Sequence, residues 1–253
     1  MTRTMLSVAG SRAGKGVSCI IPNLIHYKGS VLAIDPKGEL ASITARRRER
    51  MGQKVCVLDP FGKTAPWVKH LVKSYNPMAF LDAESVTLIE DAGLIAESIV
   101  VSNANANADP HWDESARNFI EGAILHVATY PKYENEKSLP TVHKLLGQGV
   151  TFKHGKEEES GVLGLCYEMM ANAEELAKRG EKYASVVIMG AAVDMSERGD
   201  NERGSVMSTV SRHVKFLGYG PIREVVSRHE FSLSELKKAP HGMTIYLCLP
   251  ASM

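Results

Sequence analysis

Apolar and polar positions follow two different rhythms along this chain. Up to about residue 60, short apolar runs alternate with helical stretches. Thr4 to Val8 is a first run and ends in a glycine-containing turn. From about Lys15 a helical pattern passes through Ile20, Ile21, Leu24 and Ile25, and Pro22 within it predicts a kink, since proline offers no N–H to the helix. Ser30 to Ile34 is a second apolar run, closed by Asp35-Pro36. A polar helix is predicted over Glu39 to Met51, and a third run over Lys54 to Leu58 closes in Asp59-Pro60. Strands separated by helices of this length predict β-α-β-α-β, hence a parallel sheet with right-handed crossovers.

After Tyr75-Asn76-Pro77 the rhythm changes to that of helices. Trp112, Ala116, Phe119, Ala123 and Val127 recur at helical spacing, with Ile120 and Ile124 widening the stripe. Glu168 to Lys178 is rich in helix formers, and Val206, Val210, Val214 and Leu217 mark another helix. Polar segments such as Asn103 to Pro110, His154 to Ser160 and Glu197 to Gly204 separate them. The β-rich run Met243 to Leu249 must return to a sheet. The expected organisation is an α/β domain begun by residues 1–83, an all-helical lobe over 84–217, and a return to the first domain over 218–253.

Composition narrows the picture. A chain of 253 residues with 44% hydrophobic content can build a sizeable core, and a net charge of +1 gives no overall basic field for nucleic acid. Any nucleic-acid contact must come from a local patch or an assembled ring. Cys19, Cys56, Cys166 and Cys248 lie far apart in apolar stretches, which predicts buried, reduced thiols. Met1 leads straight into the first apolar run with no signal peptide, and no apolar run approaches the roughly 18 residues of a membrane span.

The candidate chemistry sits in Ala9-Gly10-Ser11-Arg12-Ala13-Gly14-Lys15-Gly16, between a predicted strand and a predicted helix. That is the context of the phosphate-binding loop G-x-x-x-x-G-K-[ST]. Small residues let successive N–H groups curl around phosphates, the helix start adds a positive dipole, and the lysine supplies an ammonium. Ala9 stands in place of the first glycine, and Gly16 in place of the hydroxyl residue that holds Mg²⁺. Ser18 lies about 200° further round the helix and is a poor substitute. Asp35 and Asp59 end strands where parallel sheets place ligands. Asp59 reads as a strand-terminating turn; Asp35 reads equally as a turn or as a residue near the nucleotide.

Other residues carry two readings. Arg46, Arg47, Arg48 and Arg50 could touch DNA or form a solvated helix face. Arg198, Arg203 and Arg212 could include a finger reaching a neighbouring subunit's nucleotide or be ordinary surface charges. His111 and Asp113, with Asp109 nearby, suggest a polar cap for the Trp112 helix more than a metal site. Met169, Met170, Met189, Met195 and Met207 read as helical core.

Gly10-Ser11-Arg12-Ala13-Gly14-Lys15-Gly16-Val17 followed by Ile21-Pro22-Asn23-Leu24 resembles the phosphate loop of type IV secretion coupling proteins, the TraG/TraD-type conjugation ATPases. Asp35-Pro36-Lys37-Gly38-Glu39, Tyr75-Asn76-Pro77, Trp112 at a helix start, Ser208-Thr209, Phe216-Leu217 and Ile245-Tyr246-Leu247 with Pro250 extend the match over most of the chain. Gly-Lys-Gly is itself typical of these proteins. The resemblance implies a RecA-like P-loop NTPase with a helical lobe. It implies ATP and Mg²⁺ as cofactors, with Lys15 acting on the β- and γ-phosphates. Ser11, Arg12, Ala13, Gly14, Gly16 and Val17 would surround the phosphates, and Asp35 would lie beside them. It also implies a homo-hexamer at the cytoplasmic face of the bacterial inner membrane, moving single-stranded DNA or a relaxase–DNA complex to type IV secretion channel proteins.

Two family features are expected but do not appear: an N-terminal membrane anchor, and an apolar strand ending Asp-Glu after Leu249-Pro250. The reading is therefore a fragment or truncated frame that hydrolyses ATP poorly or not at all. Steady-state turnover comparable to a complete ring ATPase would refute that. Another FtsK-like DNA pump, a small-molecule kinase and a non-hydrolysing interaction module are the alternatives.

Overall fold

The computed structural model describes residues 6, 8, 10, 13–101, 110–155 and 157–249. The expected strand over Thr4 to Val8 falls mostly outside these residues. Among the described residues the first element is a π-helical turn, Gly16–Ile20, that runs directly into α1, Ile21–His26. The cause lies in the sequence: Pro22 cannot donate, and the Ile21 N–H reaches back five residues to Gly16 O. The kink predicted at Pro22 is thus absorbed as a wider turn just before it. Strand β1 is Val31–Ile34, helix α2 Glu39–Arg50 and strand β2 Lys54–Leu58. Helices α3, Leu88–Ile99, α4, Pro110–Thr129, and α5, Leu139–Gln148, follow. A short hairpin, β3 Phe152–His154 and β4 Glu157–Glu159, precedes α6, Gly161–Arg179, α7, Lys182–Glu197, α8, Asp200–Val214, and α9, Gly220–Ser227. The chain returns through α10, Glu235–Lys238, to β5, Met243–Leu247.

Two compact units result: residues 1–75 with 229–253, and residues 76–228. The divisions fall earlier than 83/84 and later than 217/218. Met78 and Leu81 are buried, Asn76 Nδ2 donates to the Lys137 carbonyl at 2.7 Å, and α9 packs on α5, so these flanks belong to the helical unit.

In the sheet unit the order is β1-β5-β2, all parallel. The strand that comes last in sequence therefore separates the first two. Met243 to Tyr246 are fully buried, as an unbroken apolar run in a central parallel strand should be. Among the described residues β1 and β2 flank β5, and β1 leaves Leu32 53% and Ile34 74% exposed. Leu24, Ala41, Ala45, Val57, Val68 and Tyr246 form the core between the sheet and its helices. Where the chain leaves and re-enters this unit, the Ser74 N–H donates to Glu230 Oε2 at 2.6 Å and Tyr75 packs on Phe231.

In the helical unit α4 is the hub, packed by α3, α5, α6, α7 and α8. Ala116, Phe119, Ile120, Ala123, Ile124 and Val127 are all buried, as their spacing predicts. The unit is not all-helical: the polar segment after Thr151 forms the β3–β4 hairpin, turned at Gly155 with φ +64°.

Candidate functional site

The loop before α1 is described at Gly10, Ala13, Gly14, Lys15, Gly16 and Val17; Ser11 and Arg12 lie outside the described residues. Gly14 holds φ +81°, a left-handed conformation that costs glycine little and other residues more. Lys15 is already helical, with φ −49° and ψ −42°. The Ala13 N–H donates to the Gly10 carbonyl at 3.3 Å, and the Lys15 ammonium bends back to the same oxygen at 2.9 Å. The lysine thus reaches over its own loop. Ser18 donates both its N–H and its Oγ–H to the Gly14 carbonyl, each at 2.9 Å, so its hydroxyl is spent locally. Ala13, Gly14, Lys15 and Val17 are exposed.

At the carboxyl ends of the strands the two Asp-Pro segments make matching turns. The Gly38 N–H donates to the Asp35 carbonyl at 3.0 Å, and the Gly62 N–H to the Asp59 carbonyl at 3.4 Å. Asp35 is buried, and its Oδ2 accepts from the Ala41 N–H at 2.8 Å, capping α2. Asp59 accepts from the Lys63 and Thr64 N–H groups, both at 2.8 Å, and from Thr64 Oγ1 at 2.7 Å. Asp59 is therefore a turn residue, the reading its sequence favoured. Gly38 is where the two turns meet: a Cβ there would lie 2.9 Å from the Lys63 carbonyl carbon. Among the described residues no cluster of three or more His, Cys, Asp or Glu could hold a metal.

The arginine run on α2 divides. Arg48 is fully buried; it donates to Thr244 Oγ1 at 2.8 Å and to the carbonyls of Leu24 (3.1 Å), Tyr27 and Gly29 (2.7 Å). It is a structural staple, and the DNA-contact reading does not apply to it. The spacing Ala41, Ala45, Arg48 places it on the buried stripe, a signal present in the sequence. Arg46, Arg47 and Arg50 stay exposed.

The three arginines of the helical unit that could have included a finger are engaged within it. Arg198 pairs with Asp194 at 2.8 Å and Glu202 at 2.5 Å, Arg203 with Asp200, and Arg212 with Asp113 at 2.8 Å. His213 also meets Asp113, at 2.9 Å, so this acid ties the first turn of α4 to the end of α8. Asp109 lies outside the described residues.

Sequence patterns gave no hint of a buried polar network in the same unit. Glu168, on α6, accepts from Tyr133 at 2.5 Å, from His126 at 3.3 Å and from Lys132. Asn172 donates to His126 Nδ1 at 3.2 Å and to Thr129 Oγ1 at 3.0 Å. Burial alone would raise the Glu168 pKa, but the three donors outweigh it and hold it at about 2. Burial lowers that of His126 more than Glu168 raises it.

The family model described as type IV secretory system conjugative DNA transfer matches residues 3–253. Among curated relatives, a conjugal transfer protein TraG of Escherichia coli is 26% identical over 96% of this chain and 35% of its own length. The type IV secretion system-coupling protein VirD4 of Bartonella quintana is 25% identical over 98% of this chain and 36% of its own. Protein VirD4 of Agrobacterium fabrum is 26% identical over 96% of this chain and 32% of its own. The chain spans about a third of the length of these relatives.

Proposed function

This chain belongs to the type IV secretory system conjugative DNA transfer family, and from that premise we propose that it supplies the ATP-binding part of a coupling-protein motor with a RecA-like P-loop fold. One observation carries the reading: Lys15 opens the helix after Gly14, at φ +81°, and lays its ammonium back over the loop onto the Gly10 carbonyl at 2.9 Å. The ammonium can exchange that neutral carbonyl at an exposed loop for a phosphate oxygen, a stronger, charge-assisted partner. In this reading Ser11, Arg12, Ala13, Gly14, Gly16 and Val17 present main-chain N–H groups to the phosphates, and Lys15 neutralises the β- and γ-phosphates.

Asp35 acts one step back. Its carboxylate fixes the start of α2 and the turn at the carboxyl end of β1 instead of reaching the ligand itself. Mg²⁺ would enter with the nucleotide and spread the charge of the phosphate oxygens. Ser18 is not offered as its ligand, since its hydroxyl is held by Gly14. The complete motor, in this proposal, is a homo-hexamer at the inner-membrane face that moves single-stranded DNA or a relaxase–DNA complex toward secretion-channel proteins. No helix among the described residues is long and apolar enough to cross a membrane.

The test is binding of a fluorescent ATP analogue to the chain and to Lys15→Ala. A charge-assisted hydrogen bond to phosphate contributes about 1.5–3 kcal/mol, so affinity should fall at least tenfold with the melting temperature unchanged. Equal binding by both proteins would refute the reading.

A further inference from the structure

The helix that begins at the candidate loop ends, roughly 15 Å away, at the opposite edge of the sheet. Its last residue is His26, and Lys28 to Ser30 lead into the amino end of β1. The amino end of β5 lies alongside, with the Met243 N–H donating to Ser30 Oγ at 3.0 Å. The last turn of α2 brings Arg47 and Arg50 to this place, α10 brings Lys237, and the turn before β5 brings His241. Together they line an open hollow of about 810 Å³ whose walls, among the described residues, contain no Asp, Glu, Phe, Tyr or Trp.

The acids nearest in sequence are occupied elsewhere: Glu49 meets His70 at 3.2 Å, and Glu235 meets Lys54 at 2.7 Å. Among the described residues Lys28, Arg47, Arg50 and Lys237 form no ion pair, and Arg47 donates only to the Ile25 carbonyl, at 3.3 Å. Behind the wall, Arg48 donates to the carbonyl of Gly29, which itself lines the hollow.

Helix dipoles account for a small part of this charge. The ends of α1 and α2 each supply about half a negative charge, so they offset about one unit. Lys28, Arg47, Arg48, Arg50 and Lys237 carry five; the dipoles and Glu49, which meets a histidine and not a fixed cation, take off about one each, leaving a surplus of about three.

We infer that this hollow, distinct from the phosphate loop, binds the phosphodiester backbone of a single-stranded DNA. The inference rests on the DNA-transfer reading above for the identity of the strand. Its charges are spread over three chain segments instead of converging on one point, which suits successive phosphates better than a single anion. Without aromatic rings there is no base stacking, so the contact is blind to sequence. A concave wall also fits a strand better than a flat membrane.

The test is fluorescence anisotropy with a labelled oligothymidine and the full chain. The variant Lys28→Ala/Arg50→Ala/Lys237→Ala is compared with a control of equal charge, Arg46→Ala/Lys63→Ala/Lys69→Ala, which changes exposed residues of the same unit outside the hollow. The hollow variant should bind at least tenfold more weakly and with a shallower dependence on salt, by about two to three counter-ions, while the control stays near wild type. Equal weakening of both, no binding by the wild-type chain, or binding of pyrophosphate or anionic vesicles with no binding of DNA would overturn the inference. In the unaltered chain, oligothymidine should protect Lys28 and Lys237, but not Lys63 or Lys69, from an amine-acylating reagent; uniform labelling would overturn it too. Binding of the ATP analogue, measured on the same samples, reports separately on the reading at Lys15.

Discussion

Each of the two units holds a buried charge within a hydrogen-bonded network, and the two solutions differ. The sheet unit buries the Arg48 cation among main-chain carbonyls and Thr244, with no carboxylate among its hydrogen-bond partners. The helical unit buries the Glu168 carboxylate among side-chain donors, Tyr133, His126 and Lys132. The first arrangement pins a connection in place, the segment between α1 and β1, and a guanidinium stays charged at any ordinary pH. The second joins helices through groups that titrate. One unit should therefore respond to mutation of its charge and the other to mutation and to acid.

The largest expected effect follows from Arg48. Arg48→Met leaves the carbonyls of Leu24, Tyr27 and Gly29 without their donor, and should cost about 3 kcal/mol or more. Urea unfolding followed by a probe in residues 1–75 would measure it, and a change below 1 kcal/mol would remove the staple from the account.

Next comes acid. The folded-state pKa of Glu168, about 2, is below its ordinary 4.5, so its contribution is fully present above 4.5 and is lost as pH falls toward 2. His126 is also lowered, so the unfolded chain takes up a proton below about 6.5 before the folded one does, and stability again falls with acid. The helical unit should weaken progressively from pH 6.5 downward, and Glu168→Gln should flatten the lower part of that profile. A Glu168→Gln protein with an unchanged profile would show that the network does not control it.

The smallest effect is chemical and concerns accessibility. Cys56, Cys166 and Cys248 are buried, and burial raises their thiols to about 11, about 12 and about 12. Cys19, half-buried in the π-helical turn, departs from the burial expected of all four. A thiol reagent should modify one cysteine per folded chain quickly and the other three only on unfolding. Two fast-reacting thiols would contradict the packing.

What could be read from sequence divides along physical lines. The strands β1, β2 and β5 were legible because unbroken apolar runs bounded by Asp-Pro or glycine have few other solutions. That β5 lies between the other two was not, because strand order depends on which distant segment wins the central, fully buried place. The hairpin turned at Gly155 was hidden by its polarity, since three-residue strands carry almost no pattern. In the candidate site, the loop around Lys15 announced itself by composition and context. The capping role of Asp35 depends on a hydrogen bond to Ala41 that its position at a strand end does not distinguish from a ligand contact. Glu168 and His126 meet across 42 positions of sequence, beyond the reach of any local rule.

The central claim concerns main-chain amides and one ammonium. It is tested most directly by following the amide NMR signals of Gly14, Lys15 and Gly16 while ATP, pyrophosphate or adenosine is added. ATP and pyrophosphate should shift all three signals and adenosine alone should not, because phosphate is the group the loop holds. Signals that stay in place at saturating ATP, or that move equally with adenosine, would contradict the account.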